Sequence, residues 1–206
     1  DYPLSGRVEL AVQPSRAAEF TLRLRVPYWS RRTRVAVNGR GVAGAEPGTY
    51  LALRRRWRRG DRVRVELDLS PHFWAGAGEC AGRASIYRGP VLLAFDHRYN
   101  LHLAAGRDPQ IREIDGWKGQ TDCMLALPTL EAEGLRLRRA AWRDWLPPAL
   151  LLAARDAEGR TVRLCDYGSA GEAGTPYVTW LPVRGAPSAD FSPGNPLRTA
   201  RPAGRK

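Results

Sequence analysis

The chain has 206 residues, 33 of them basic and 21 acidic, for a formal charge of +12, and 43% are apolar. That length suits one large domain or two small ones and is enough to bury a core, so a wholly disordered chain is excluded. The longest apolar stretch, residues 147–154, falls far short of the roughly 20 residues of a membrane-spanning helix, and three cysteines (Cys80, Cys123 and Cys165) are too few for a disulfide scaffold or a zinc-finger array.

The first 70 residues alternate with period two, the mark of half-buried strands. Val8, Leu10 and Val12 form one apolar row, with Arg7 and Glu9 opposite. Phe20, Leu22, Leu24 and Val26 form a second, backed by Thr21, Arg23 and Arg25. Val35 and Val37 make a short third row, and Val63, Val65, Leu67 and Leu69 a fourth, with Arg64, Glu66 and Asp68 outward. Such rows predict an antiparallel sheet with one wet face, on which Arg and Glu or Asp can pair across strands. Asn38-Gly39 is a strong two-residue hairpin signal, and Pro47-Gly48 and Gly60-Asp61 mark further turns. Trp57, between two arginines, is expected to plug a core or cover an edge.

Further on, residues 91–95 read as a strand after the Gly89-Pro90 turn. The stretch 100–124 is irregular, and 130–139 fits a short helix or a strand equally. Residues 149–155 and 161–166 flank Ala157-Glu158-Gly159 and predict a hairpin, and 177–183 predict a last strand that contains Trp180. From Arg184 onward Pro, Gly, Ser and Arg dominate, which predicts a disordered basic tail. Together these predict an all-β chain of two consecutive antiparallel β-sandwich domains, 1–95 and 96–183, followed by the tail 184–206.

The charge is uneven. Residues 1–70 carry 15 basic and 7 acidic side chains, 71–183 carry 13 of each, and 184–206 carry 5 and 1. Thirty-one of the basic residues are Arg. Alternating with apolar residues, they read as solvated strand faces, which predicts weak polyanion binding and no specific nucleic-acid partner. No membrane partner is expected; the compartment is left open, with the cytoplasm favoured.

No phosphate-cradling glycine loop, GxGxxG or HExxH is present, and Gly168-Ser169-Ala170-Gly171 lacks the second glycine spacing of a nucleophile elbow. The cysteines lie 43 and 42 residues apart, without the short-range pair of a zinc site. His97 and His102 lie near Asp96 and Asp108 and could form a His–Asp pair, although structural hydrogen bonding is favoured. Asp96, Asp115, Asp122 and Asp166 could supply paired carboxylates for glycoside hydrolysis, a pattern of almost no specificity. No catalytic, cofactor-binding or metal-binding residue is assigned. Of the seven tryptophans, Trp117 and Trp74 are the candidates for stacking on a sugar ring.

Several segments in order resemble glycoside hydrolase family 127, the β-L-arabinofuranosidase-like proteins. They are residues 1–6 (Asp-Tyr-Pro-Leu-Ser-Gly), 20–27 with Trp29, Val37-Asn38-Gly39, Gly48-Thr49-Tyr50-Leu51, Trp57, and Gly60-Asp61-Arg62-Val63. Arg88-Gly89-Pro90-Val91, residues 166–171 and Trp180-Leu181-Pro182 continue the series. Leu4 stands where the family often has Trp. The resemblance implies an (α/α)6 barrel followed by two β-sandwich domains, with a cysteine nucleophile in a zinc–thiolate cluster and a glutamate acid/base in the barrel. Zinc is thereby implied for that barrel alone, and no segment of this chain matches a catalytic motif. The sequence opens on Asp1 rather than Met, which leads us to expect a fragment or processed product. The expected role is a non-catalytic C-terminal region, inactive alone, that packs on its own N-terminal catalytic domain and could help subunits associate. A free-standing carbohydrate-binding module is the alternative, and a weak polyanion binder the third reading.

Overall fold

A computed structural model describes residues 2–104, 127–143 and 145–186. The described residues divide between Ser70 and Pro71 into two compact units. Both are built of strands, as the sequence predicts.

The first unit contains β1 (Arg7–Val12), β2 (Ala18–Arg25), β3 (Arg34–Val37), β4 (Arg40–Val42), β5 (Tyr50–Trp57) and β6 (Asp61–Glu66). One sheet runs β1-β6-β3-β4 and the other pairs β2 with β5, all antiparallel. Register follows the apolar rows: Val8 faces Val65, Val35 faces Val65 from the other side, and Leu22 faces Leu53. A slip of one residue would turn each row to water, so burial fixes the pairing. The β3–β4 hairpin turns on Asn38 and Gly39, both at positive φ (50° and 81°), the conformation that this two-residue turn requires.

The inner faces of the two sheets share one core, in which Val12, Val35, Val37, Leu51, Leu53, Trp57, Val63 and Val65 are buried and Phe20, Leu22, Leu24 and Leu67 pack against them. Trp57 is fully buried at its centre. Its indole N–H donates to the Phe20 carbonyl at 3.0 Å, which satisfies the one polar atom of the ring. Leu10 departs from expectation: it is exposed, because β1 is the edge of its sheet and has a neighbour on one side only. On the wet face, Glu9 meets Arg64, its register partner, at 3.1 Å and Arg7 at 2.6 Å, and Arg54 meets Glu19 at 2.9 Å.

The second unit contains β7 (Pro71–Ala75), β8 (Arg83–Arg88), β9 (Val91–Asp96), one helical turn α1 (His97–Asn100), β10 (Leu130–Glu131), β11 (Arg138–Arg139), β12 (Leu151–Arg155), β13 (Thr161–Asp166), β14 (Tyr177–Val178) and β15 (Leu181–Arg184). The strands form a sheet in the order β10-β15-β8-β9-β13-β12-β11, with β7 also on β8 and β14 also on β9. The boundary expected at residue 95 therefore lies inside this unit. β7 to β9 are bound into the same sheet as β13 and β15, and the chain divides at residue 70 instead.

The expected β12–β13 hairpin is present, while the strand expected over 177–183 is split. β8 and β9 pair only from Ile86 to Arg88 against Val91 to Leu93. Beyond that they diverge, and the last segment fills the gap. Val178 pairs with Phe95 on β9, and Leu181 pairs with Ala84 on β8. Residues 130–139 resolve into two short strands rather than a helix. β10 runs parallel to β15 and β11 antiparallel to β12. Arg184, expected to open a disordered tail, ends β15, and residues 187–206 of that tail lie outside the described residues.

Trp57→Ala should destabilise the first unit by about 3–5 kcal/mol, and Val65→Ala by less, since each leaves a cavity in a close-packed core. Urea unfolding of the full chain measures both, and an unchanged midpoint for Trp57→Ala would contradict this packing.

Candidate functional site

The polar centre of the second unit is made where β9 and β13 end. Asp96 closes β9 with its carboxylate almost wholly buried, at 1% exposure. It caps α1 by accepting from the Arg98 amide at 2.8 Å. It also accepts from the Thr175 hydroxyl at 2.6 Å and the Gly171 amide at 2.9 Å. Gly171 has φ +75°, and a Cβ there would lie 2.8 Å from the Tyr177 ring, so both backbone and space require glycine. Asp166 repeats the device at the end of β13, accepting from the amides of Leu150 and Ser169 at 2.8 and 3.0 Å and from the Ser169 hydroxyl. Asn100, fully buried, bonds the Asp96 and Arg163 carbonyls and accepts from the Arg163 amide, each at 2.8 Å.

Of the His–Asp pairing considered from sequence, the described residues show Asp96, His97 and His102, each with other neighbours. Both Asp96 oxygens are engaged by backbone amides and a threonine. His97 is buried, its ring edge-on to Phe95 at 6.0 Å, and its Nε2 has no hydrogen-bond partner. Burial holds its pKa below the ordinary value, against a smaller opposing pull from Asp96. His102 lies within 3.3 Å of an Arg163 guanidinium nitrogen through Nδ1, and within 2.8 Å of the Thr161 carbonyl through Nε2. Arginine can only donate, so Nδ1 is the acceptor and Nε2 carries the proton. Asp108, Asp115 and Asp122 lie outside the described residues.

Two of the three cysteines lie among the described residues. Cys80 is half-buried and Cys165 is buried; both are free, and Cys123 lies outside the described residues. Burial pushes the Cys165 thiol up to about 12, which keeps it protonated and unreactive. Among the described residues, no group of three or more His, Cys, Asp and Glu side chains is placed to hold a metal ion. Among them, too, no helix is long and apolar enough to cross a membrane.

Of the two sugar-stacking candidates, Trp117 lies outside the described residues and Trp74 is half-exposed on β7. Among the described residues the most exposed large apolar one is another, Trp145 at 69%. Arg98, thrown out by the capped turn of α1, donates to the carbonyls of Trp145 and, at 2.9 Å, Leu146. Its guanidinium carbon lies 5.4 Å from the Trp145 ring centroid, 5.7 Å from that of Trp142 and 5.6 Å from that of Tyr99, all within cation–π range. Trp142 stands edge-on to Tyr99 at 4.9 Å. Sequence reasoning missed this cluster because its parts are 47 residues apart; the one local signal was the Trp142-x-x-Trp145 spacing just before Pro147. Among the described residues, one cavity of about 460 Å³ lies beside Glu133, Arg136 and Asp156 and another of about 240 Å³ beside Asn38 and Arg62.

Two outcomes follow from this geometry. Asp96→Ala should destabilise the chain by more than about 2 kcal/mol, since each buried donor left unpaired costs roughly 1–3 kcal/mol; chemical unfolding measures it. For His97, the folded-state pKa is depressed, so its neutral-form stability is complete above the ordinary value of 6.5 and is lost as pH falls below it. The melting temperature should fall across that window, and His97→Leu should flatten the fall. An identical pH profile in the variant would contradict the assignment.

Comparison with known proteins places this architecture. Residues 1–69 match the family model described as beta-L-arabinofuranosidase, GH127 middle domain. No curated protein matches the chain. Among solved structures, a chain titled glycoside hydrolase superposes with a TM-score of 0.64 at 23% identity, covering 89% of this chain and 31% of that one. Ara127N-Se, a GH127 β-L-arabinofuranosidase from Geobacillus stearothermophilus T6, gives 0.63 at 23% identity over 89% and 29%. A further GH127 β-arabinofuranosidase gives 0.62 at 20% identity over 88% and 30%. The chain thus spans about a third of the length of the structures it matches. The resemblance read from the sequence is the one that these comparisons return: the first unit is a match to the GH127 middle domain, in a chain that shares its fold with part of GH127 glycoside hydrolases.

Proposed function

We propose that this chain is the non-catalytic β-sandwich region of a GH127-type glycoside hydrolase, and that it supports an (α/α)6 catalytic barrel. The observation that carries the reading is the superposition of nearly nine-tenths of the chain on about 30% of two GH127 chains, joined to the middle-domain match over residues 1–69. The second unit adds to it. The buried Asp96 and the half-buried Asp166 hold backbone segments, the exposed His102 bonds the Thr161 carbonyl, and the Cys165 thiol is deeply buried. These are the roles of a scaffold rather than of an acid/base pair or a nucleophile. Hydrolysis, and the zinc that the family resemblance implies, would then belong to the barrel, with carbohydrate as the substrate class. Association of subunits through this region is compatible with the same role.

The experiment pairs the purified chain with a separately expressed GH127 barrel domain. Alone, the chain should neither cleave aryl arabinofuranosides nor retain stoichiometric zinc after dialysis. With the barrel its melting temperature should rise, because a partner that binds only the folded state stabilises it by mass action. One zinc per chain, lost in Cys80→Ser or Cys165→Ser, would overturn the reading, as would turnover by the chain alone.

A further inference from the structure

We infer that Trp145, backed by Arg98, is a carbohydrate-stacking site on the second unit that takes the C–H face of a sugar ring. The ligand class rests on the proposed reading of the chain as part of a glycoside hydrolase; the site itself rests on three features of the structure.

The first is exposure. At 69%, Trp145 shows more of its surface than any other large apolar residue described. A ligand that stacks on such a ring removes apolar area from water, which favours binding.

The second is that the residue is held. Arg98 donates to the carbonyls of Trp145 and Leu146 and lies over the Trp145 ring at 5.4 Å. Arg98 is fixed in turn, since its own amide caps onto the buried Asp96 and its guanidinium packs against Tyr99 and Trp142. A ring ordered before binding loses little freedom when a ligand stacks on it, which is how rigid aromatic anchors gain affinity.

The third is strain. Leu146, next in the chain, has φ +57°, a left-handed conformation that a leucine rarely adopts and that is kept only where its surroundings over-determine it. The carbonyl of this strained residue is one of the two that Arg98 grips, so the local backbone is bent into the shape that presents the indole.

The chemistry of the ligand follows from the surface. The face of an indole is broad, apolar and electron-rich. A sugar ring offers a matching face of C–H groups with small positive charge, and its hydroxyls remain free to meet water or nearby guanidinium groups. Protein docking would call for a contiguous apolar patch of several hundred Å². Here the indole is backed by a guanidinium, and its neighbours Trp142 and Leu146 are half-buried. The other exposed aromatic pair, Tyr167 and Tyr177, is tilted at 68° and offers no flat platform.

The test uses the full 206-residue chain, with xylohexaose as a pyranose probe and linear arabinohexaose as a furanose probe, followed by titration calorimetry and affinity electrophoresis. Saturable binding of either probe in the millimolar range is expected, about tenfold weaker in Trp145→Ala, retained in Trp145→Tyr and unchanged in Trp74→Ala. Because Trp145 is exposed, its variants should melt with the parent chain. Absence of saturable binding to both probes, or binding indifferent to Trp145→Ala, overturns the inference and leaves the scaffold reading standing, since that is judged by pairing with the barrel. Sugar binding indifferent to Trp145→Ala together with weakened pairing with the barrel would instead make Trp145 a docking contact.

Discussion

One buried carboxylate sets the form of the second unit. Asp96 gathers donors from three places: the amide of Arg98 just beyond it, the Gly171 amide and the Thr175 hydroxyl. A buried charge is tolerated only when hydrogen bonds replace its hydration, and three donors do so here. The consequences spread outward. The strand β9 stops, α1 turns, Asn100 reaches across to both sides of Arg163, and Arg98 is directed onto the carbonyls of Trp145 and Leu146. The aromatic cluster around Arg98 is therefore a product of how β9 ends.

Asp166 plays the same part for β13, with Ser169 and the Leu150 amide as its donors. Two strand ends of one sheet are thus stopped by the same chemistry, an aspartate that caps the turn following it. Such residues look like catalytic acids in a linear sequence. Here their oxygens accept from backbone amides and hydroxyls, which ties them to the turns that follow the strands.

In the first unit the organising force is burial rather than charge. Apolar rows on β2, β5, β3 and β6 converge on Trp57, whose single polar atom is satisfied by the Phe20 carbonyl. The arginines that dominate the composition stand on the opposite faces, several of them paired with Glu9 or Glu19. The basic character of this unit is therefore dispersed over a strand surface and partly neutralised.

Much of the fold was legible because strand faces repeat every second residue, so local sequence already states which side is buried. The rows at 20–26, 35–37 and 63–67, the Asn38-Gly39 hairpin, the β12–β13 hairpin and the family resemblance were all readable from the sequence. Leu10 was not, since whether an apolar position faces a partner sheet depends on its strand being central or at an edge. Nor was the unit boundary at Ser70, because the pairing of β8 with β15, about a hundred residues later, leaves no local trace. The break between β14 and β15 has the same origin, since one apolar run fills the space between two strands that diverge. The site shows the distinction most clearly. Sequence determined that Trp142, Trp145, Arg98 and Asp96 exist; only the tertiary structure brought them together, because a cap at one strand end and a bent backbone at Leu146 meet across 47 residues of chain.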